Sequence, residues 1–376
     1  MKLEKIQIEN FRGIKHLELD FRDELERIQD VVPIVGPNTS GKTAILDAIT
    51  VCLGPGTEIW TMRPDLVLSP ASLVRRGSLR ARVKCTVRFS DAEIAKTKDI
   101  FVRTGFLNKG NFPESNRVTV DWEYPDPTER HQRGLNTYDP AKAHLLFKGR
   151  KRAVRHFYVP GVSSESLRQL GGIFMFDQKR TGLGQRTSSQ LRDRAAGRNG
   201  PPNFLKDGQL DKDADSYTRD PRMILLNLAV RAQAAQSPEA TEREDFNRFC
   251  ELYARVCKPH RINRVYNAES GLDIEFEGPN GIYFFEGLST GQIMLLSLLL
   301  QFVTNRIHSS IVLIDELELH LHPLWQTRLY QSLGELGFDN QVLFTTHSTH
   351  LRDLIRGNFV HCTGELGDEP AAKGGA

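Results

Sequence analysis

Gly36-Pro-Asn-Thr-Ser-Gly-Lys-Thr43 is the stretch that decides the fold. It follows the apolar run Val31–Val35 and opens a helical pattern over 42–53, in which Ile45, Leu46, Ile49 and Leu53 share one face. Strand, glycine loop and helix, in that order, are the context a phosphate cradle requires. Glycine lets backbone N–H groups turn inward on phosphate oxygens, and the helix start adds a positive dipole end. Gly36, Asn38, Ser40, Gly41, Lys42 and Thr43 are the expected nucleotide-binding residues. Lys42 would neutralise β- and γ-phosphate charge, and the Thr43 hydroxyl would ligate Mg²⁺.

Three further segments supply the other parts of such a site. Ile311-Val-Leu-Ile-Asp-Glu316 reads as a buried strand that delivers two carboxylates to the carboxyl edge of a sheet, where ligands bind in open α/β folds. Asp315 suits the Mg²⁺ shell, directly or through water. Glu316 suits a base that orients and polarises an attacking water. Leu288-Ser-Thr-Gly-Gln292 opens an apolar helix over 292–303, so Ser289 and the first-turn N–H groups form a second anion site. Thr346-His-Ser348 follows an apolar strand and places His347 to touch the γ-phosphate or the attacking water. His320, His322 and His350 come without a compact acid/histidine cage and read as packing or dimer contacts.

The remaining chain is read around these anchors. Residues 3–21 alternate on either side of Asn10-Phe-Arg-Gly13, as two antiparallel strands around a turn would. Strands are expected within 79–90 and 117–124, with a polar stretch lacking clear period between them, and short strands at 156–160 and 172–176. Gly, Arg, Asp, Ser and Gln dominate residues 179–220, which predicts a mobile loop or lid. Helices at 222–235 and 239–257 follow, then a hairpin around Gly278-Pro-Asn-Gly281. Strand 311–315, helix 323–333, strand 341–345 and helix 349–356 complete an alternation that predicts a largely parallel, covered sheet.

Composition sets bounds. The chain has 376 residues, is 39% hydrophobic and carries a net charge of only +3, so a nucleic-acid binder is not declared by charge. No apolar run reaches the roughly 18–20 residues of a membrane span, and no membrane partner is expected. The start lacks a signal-peptide apolar core, which predicts a cytoplasmic protein. Five cysteines without CxxC spacing read as incidental thiols of a reducing compartment. The run Lys148-Gly-Arg-Lys-Arg-Ala-Val-Arg155, with Arg75, Arg76, Arg80 and Arg82, offers basic surface that DNA phosphates could meet.

Taken with Ile8-Glu-Asn-Phe-Arg-Gly-Ile14, the four segments resemble the SMC/RecF/OLD branch of ABC ATPases over residues 1–60 and about 270–361. Asp315-Glu-Leu-Glu-Leu-His-Leu-His-Pro323 looks like that branch's Walker B and D-loop. The resemblance implies an α/β ABC ATPase head: a mixed or parallel P-loop sheet flanked by helices, an antiparallel β subdomain and an inserted helical region. It implies ATP and Mg²⁺ as cofactors, and a homodimer or higher homo-oligomer joined through ATP-bound heads. Ser289 and Gly291 would contact the γ-phosphate on another copy, His347 would be the switch histidine, and Arg12 would lie near the nucleotide. Thr290 stands where Gly is common, Leu317 where Pro is frequent, and Gln178 is a candidate for the Q-loop.

The expected organisation is a single head. It has an N-terminal lobe (1–178), a loop plus helical insertion (179–260), a C-terminal lobe (261–361) and a disordered tail (362–376). Long heptad arms are not seen, and few residues follow His347. The chain therefore looks like the stand-alone ATPase subunits of bacterial antiphage systems, which control a separate effector, a nuclease or toxin. A RecF-like repair or DNA-clamping ATPase is the alternative. A transporter motor fits neither the Asn-Phe-Arg-Gly opening nor the long region before Leu288.

Overall fold

Apolar runs without alternation become the strands of one parallel sheet, because only strands covered on both faces are buried on both. The computed structural model describes residues 1–54, 70–106, 112–113, 115–125, 143–177, 220–234, 241–268, 271–355 and 360–361. In chain order the strands and α-helices are β1 (Lys2–Phe11), β2 (Ile14–Asp20), β3 (Val31–Val35), α1 (Lys42–Leu53), β4 (Ala81–Arg88), α2 (Asp91–Arg103), β5 (Arg117–Tyr124), α3 (Gly149–Arg155) and β6 (Ile173–Phe176). Then come α4 (Pro221–Ala234), α5 (Thr241–Val256), β7 (Arg261–Ala268), β8 (Gly271–Gly278), β9 (Gly281–Phe284), α6 (Thr290–Thr304), β10 (Ile311–Ile314), α7 (Pro323–Ser332), β11 (Gln341–Thr346), α8 (Thr349–Leu354) and β12 (Val360–His361). Gln178, residues 179–219 of the expected lid and the tail at 362–376 lie outside the described residues.

The chain divides into two units. The first comprises Met1–Gln178, Arg306–Glu318 and Leu329–Ala376. Its parallel sheet has the order β12-β3-β11-β10-β6, with Thr346 opposite Val35 and Ile314 opposite Phe344. Every strand runs the same way, so the loops after β3, β10 and β11 leave from one edge. An antiparallel sheet, β2-β1-β4-β5, stands beside it. Its alternating residues Leu3, Ile6, Ile8, Val83, Cys85 and Val87 join Ile45, Leu46 and Ile49 of α1 in one buried core.

The second unit comprises Lys179–Asn305 and Leu319–Arg328. Its helices α4, α5 and α6 and its antiparallel sheet β7-β8-β9 close over Phe249, Tyr253 and Phe276. Helix α6 is apolar nearly all round, and Met294–Leu300 is buried throughout. The hairpin around Gly278-Pro-Asn-Gly281 forms as expected, Gly281 taking φ +104.

Three sequence expectations change. Residues 156–160 form successive turns rather than a strand: Val159 N–H donates to the His156 carbonyl, Val162 N–H to the Val159 carbonyl, and Gly161 reverses the chain at φ +81. The stretch between β4 and β5 holds α2, started by Ser90, whose side chain accepts the Glu93 N–H. Strand β7 is a third member of the hairpin sheet that the sequence reading omitted.

Candidate nucleotide site

The loop after β3 is shaped by two residues in left-handed conformation, Thr39 (φ 67) and Gly41 (φ 92). Gly41 is the residue before α1, where a side chain would be strained. Lys42 begins the helix with only 6% exposure, and its Nζ donates to the carbonyls of Gly36 (2.8 Å) and Pro37 (2.7 Å). The ammonium thus holds the loop closed over itself. Gly36 is buried, Asn38 is exposed, and Ser40 is buried with an Oγ that makes no hydrogen bond. A buried hydroxyl without a partner is costly unless a ligand completes it.

Thr43 faces the end of β10. Its Oγ1 donates to the Asp315 carboxylate at 3.0 and 3.2 Å, and the same carboxylate accepts the Thr345 hydroxyl at 2.7 Å. Thr43 and Asp315 are the pair expected to hold Mg²⁺, and they already share one spot. Glu316 follows in a left-handed conformation, φ 51, rare for a side chain of its size. Its N–H donates to Thr345 Oγ1 at 2.7 Å, which locks that conformation. Strain of this kind persists where the surroundings over-determine it, and it clusters at working sites.

His347 leaves the end of β11, and Ser348 caps α8 by accepting the Leu351 N–H. The His347 ring lies 3.9 Å from the Glu316 carboxylate and 2.9 Å from that of Glu318. Lys42, Thr43, Asp315, Glu316 and His347 therefore come together at one sheet edge. Arg12 (φ 48) forms an ion pair with the buried Asp47 of α1, one turn past Thr43, which ties the Asn-Phe-Arg-Gly turn to the phosphate-loop helix. The sequence reading missed Thr345 and Glu318. Glu318 stood inside the Asp315–Pro323 segment, and its spacing from the two acids was the available signal.

Ser289 and Gly291 lie in the second unit. Ser289 caps α6 in a reciprocal box: its Oγ accepts the Gln292 N–H, and the Gln292 side chain accepts the Ser289 N–H. Ser289 and Thr290 are exposed. Gly291 is fixed by packing, since a Cβ there would lie 2.3 Å from the His320 carbonyl oxygen. Gly291→Ala is therefore expected to cost about 1–3 kcal/mol of stability and to slow turnover. Chemical denaturation beside an ATPase assay checks this, and a variant as stable and active as wild type would remove the contact.

Among the described residues, no group of three or more histidines, cysteines or acids is arranged to hold a metal ion. Two guanidinium groups of the basic run, Arg150 and Arg152, are engaged within the protein. Arg150 donates to the Leu167, Leu170 and Arg306 carbonyls and stacks on Phe174, and Arg152 donates to Thr104 and stacks on Phe106. Arg80 and Arg82 pair with Glu123 and Asp121.

Comparison with known proteins fits this geometry. A family described as "AAA ATPase domain" matches residues 1–111, and one described as "AAA domain, putative AbiEii toxin, Type IV TA system" matches residues 182–353. The DNA double-strand break repair Rad50 ATPase of Methanopyrus kandleri is 32% identical over 103 residues, 27% of this chain and 10% of that protein. The Smc head with an extended coiled coil from Pyrococcus furiosus, solved bound to the C-terminal domain of ScpA, superposes with a TM-score of 0.52 at 15% identity. The superposition covers 96% of this chain and 93% of that one, and establishes an SMC-head fold. The Septu protein PtuA of Bacillus thuringiensis is 33% identical over 362 residues, 93% of this chain and 72% of that protein. By that likeness across most of both chains, this SMC-type ATPase head belongs to the family of the Septu protein PtuA.

Proposed function

We propose that this protein binds and hydrolyses ATP, assembles through ATP held between heads, and serves as the ATPase subunit of an antiphage defence system with a separate nuclease or toxin as effector. The observation that carries the hydrolase reading is the convergence of Lys42, Thr43, Asp315, Glu316 and His347 on one sheet edge. Lys42 would exchange its two loop carbonyls for phosphate oxygens. Thr43 and Asp315 would hold Mg²⁺, which supplies charge neutralisation on the phosphates when bound. Glu316 would take hydrogen bonds from the attacking water, and His347 would face the terminal phosphate. The start of α6, where Ser289 caps the helix and Ser289 and Thr290 are exposed, suits a phosphate on another copy.

The effector reading is supported by membership of the PtuA family and by a matched domain description that names a toxin system. A DNA-clamping reading draws support from the Rad50 likeness, though Arg150 and Arg152 already donate to the protein's own carbonyls. The test is turnover of ATP by the purified protein with Mg²⁺ or with EDTA, beside its mass in solution with and without ATP. Turnover lost in EDTA, with a mass increase on ATP, is the expected result. Turnover indifferent to EDTA would overturn the metal assignment, and a mass indifferent to ATP would overturn assembly through nucleotide.

A further inference from the structure

The segment after β10 and the segment after β11 are fastened to each other by side chains that the proposed chemistry does not use. Thr345 holds Asp315 and the Glu316 N–H, and the Leu317 N–H donates to the Thr345 carbonyl at 3.0 Å. Glu318 makes the last and most concentrated of these ties. Its Oε1 accepts the His347 N–H at 2.7 Å and the Ser348 N–H at 3.2 Å, and lies at ion-pair distance, 2.9 Å, from His347 Nδ1.

A cap for two N–H groups does not need such a residue. Glu318 is 6% exposed, and its Oε2 is buried without a hydrogen-bond partner. Burying a carboxylate with one oxygen unpaired is expensive, whereas a surface Ser or Asp would cap the same groups at little cost. The feature that only this placement provides is the grip on Nδ1.

We propose that Glu318 is a positioning residue for His347, fixing the tautomer and aim of its ring. With the Nδ1 proton committed to Glu318, Nε2 is the ring nitrogen left to meet a ligand. Nδ1 is thereby spent on Glu318 at 2.9 Å rather than on Glu316 at 3.9 Å. This inference rests on the reading of His347 as a residue that faces the nucleotide.

The test combines turnover with a spectroscopic reading of the ring. Glu318→Ala is expected to slow ATP turnover on the order of 10²-fold, the scale of a misplaced reacting group. The double variant with His347→Ala should be no slower than His347→Ala alone, because one residue acts through the other. Glu318→Gln keeps an acceptor oxygen and should recover most of the rate. In protein labelled with ¹⁵N-histidine, the neutral His347 ring should carry its proton on Nδ1 in wild type and in Glu318→Gln. It should shift toward the Nε2–H form in Glu318→Ala. Losses that multiply in the double variant would overturn the proposal. An Nε2–H ring in wild type would overturn it without any variant, even if Glu318→Ala fails to fold. A wild-type protein without turnover would sink the hydrolase reading instead, and the ring spectrum would still decide the role of Glu318.

Discussion

Glu316→Gln is expected to bind ATP as wild type does and to hydrolyse it roughly 10²–10⁴-fold more slowly, the usual scale for removing a general base. The substitution isolates chemistry from architecture. Gln has nearly the same shape, and the left-handed backbone at φ 51 is no more strained for Gln than for Glu. The tie that holds that backbone is the residue's own N–H on Thr345 Oγ1, which the change leaves alone. Thr43 still meets Asp315, and Lys42 still caps its loop. What disappears is the carboxylate beside His347 that can accept a proton from water. ATP should then persist in the site, and any assembly that ATP drives should accumulate rather than turn over. Single-turnover hydrolysis and the mass of the ATP-bound protein are the two measurements. Wild-type turnover by this variant would remove Glu316 from the role of base.

How much of this was open to a reader of the sequence follows from how local each feature is. Gly41 and Lys42 obey a rule that spans a few residues, so the loop could be placed from its own letters and its flanking strand and helix. The unbroken apolar runs of β3, β10 and β11 betray strands covered on both faces, and the register that aligns their ends then brings three loops together. Thr345 and Glu318 obey no local rule. Thr345 sits in a buried strand, where threonine is ordinary, and only the pairing of β10 with β11 shows that its hydroxyl meets Asp315. Glu318 stands as a further acid close after Asp315 and Glu316, yet His347 and Ser348 come back to it from 29 and 30 positions away.

The errors have the same origin in the other direction. Helix α2 buries Glu93 and Thr97 with Ile100 and Phe101, so its inward face is half polar and lacks the apolar stripe that announces a helix. Its Ser90 cap was the stronger signal. At 156–160 a short run of large residues reads as a strand, but Phe157 and Tyr158 are exposed and no partner strand pairs with them among the described residues. A run of large residues does not make a sheet when the hydrogen bonds close within the segment as turns. Part of the basic run serves the protein itself for a related reason. Guanidinium groups also serve as donors to a protein's own carbonyls, and Arg150 does this toward Leu167 and Leu170.

Lys42→Ala should weaken ATP binding itself, in contrast to the Glu316 variant. A hydrogen bond to a charged group is worth about 1.5–3 kcal/mol, so Kd should rise on the order of 10- to 10²-fold. The Lys42 ammonium is nearly buried and rests on the Gly36 and Pro37 carbonyls, which marks out a cation already desolvated and aimed across the loop. Moving it onto phosphate oxygens replaces two neutral acceptors with charged ones, and that difference favours the bound state. Alanine removes the charge and also takes the ammonium donor from both carbonyls, leaving Pro37 only the Ser40 N–H at 3.4 Å, so the empty loop should loosen. The two effects separate by thermal denaturation. Without nucleotide, a small drop in Tm reports the lost loop contacts. With ATP, the stabilisation that ligand binding confers on the native state should shrink in step with the higher Kd. Equal stabilisation of both proteins by ATP would mean that Lys42 does not touch phosphate, and that its hold on Gly36 and Pro37 is its whole purpose.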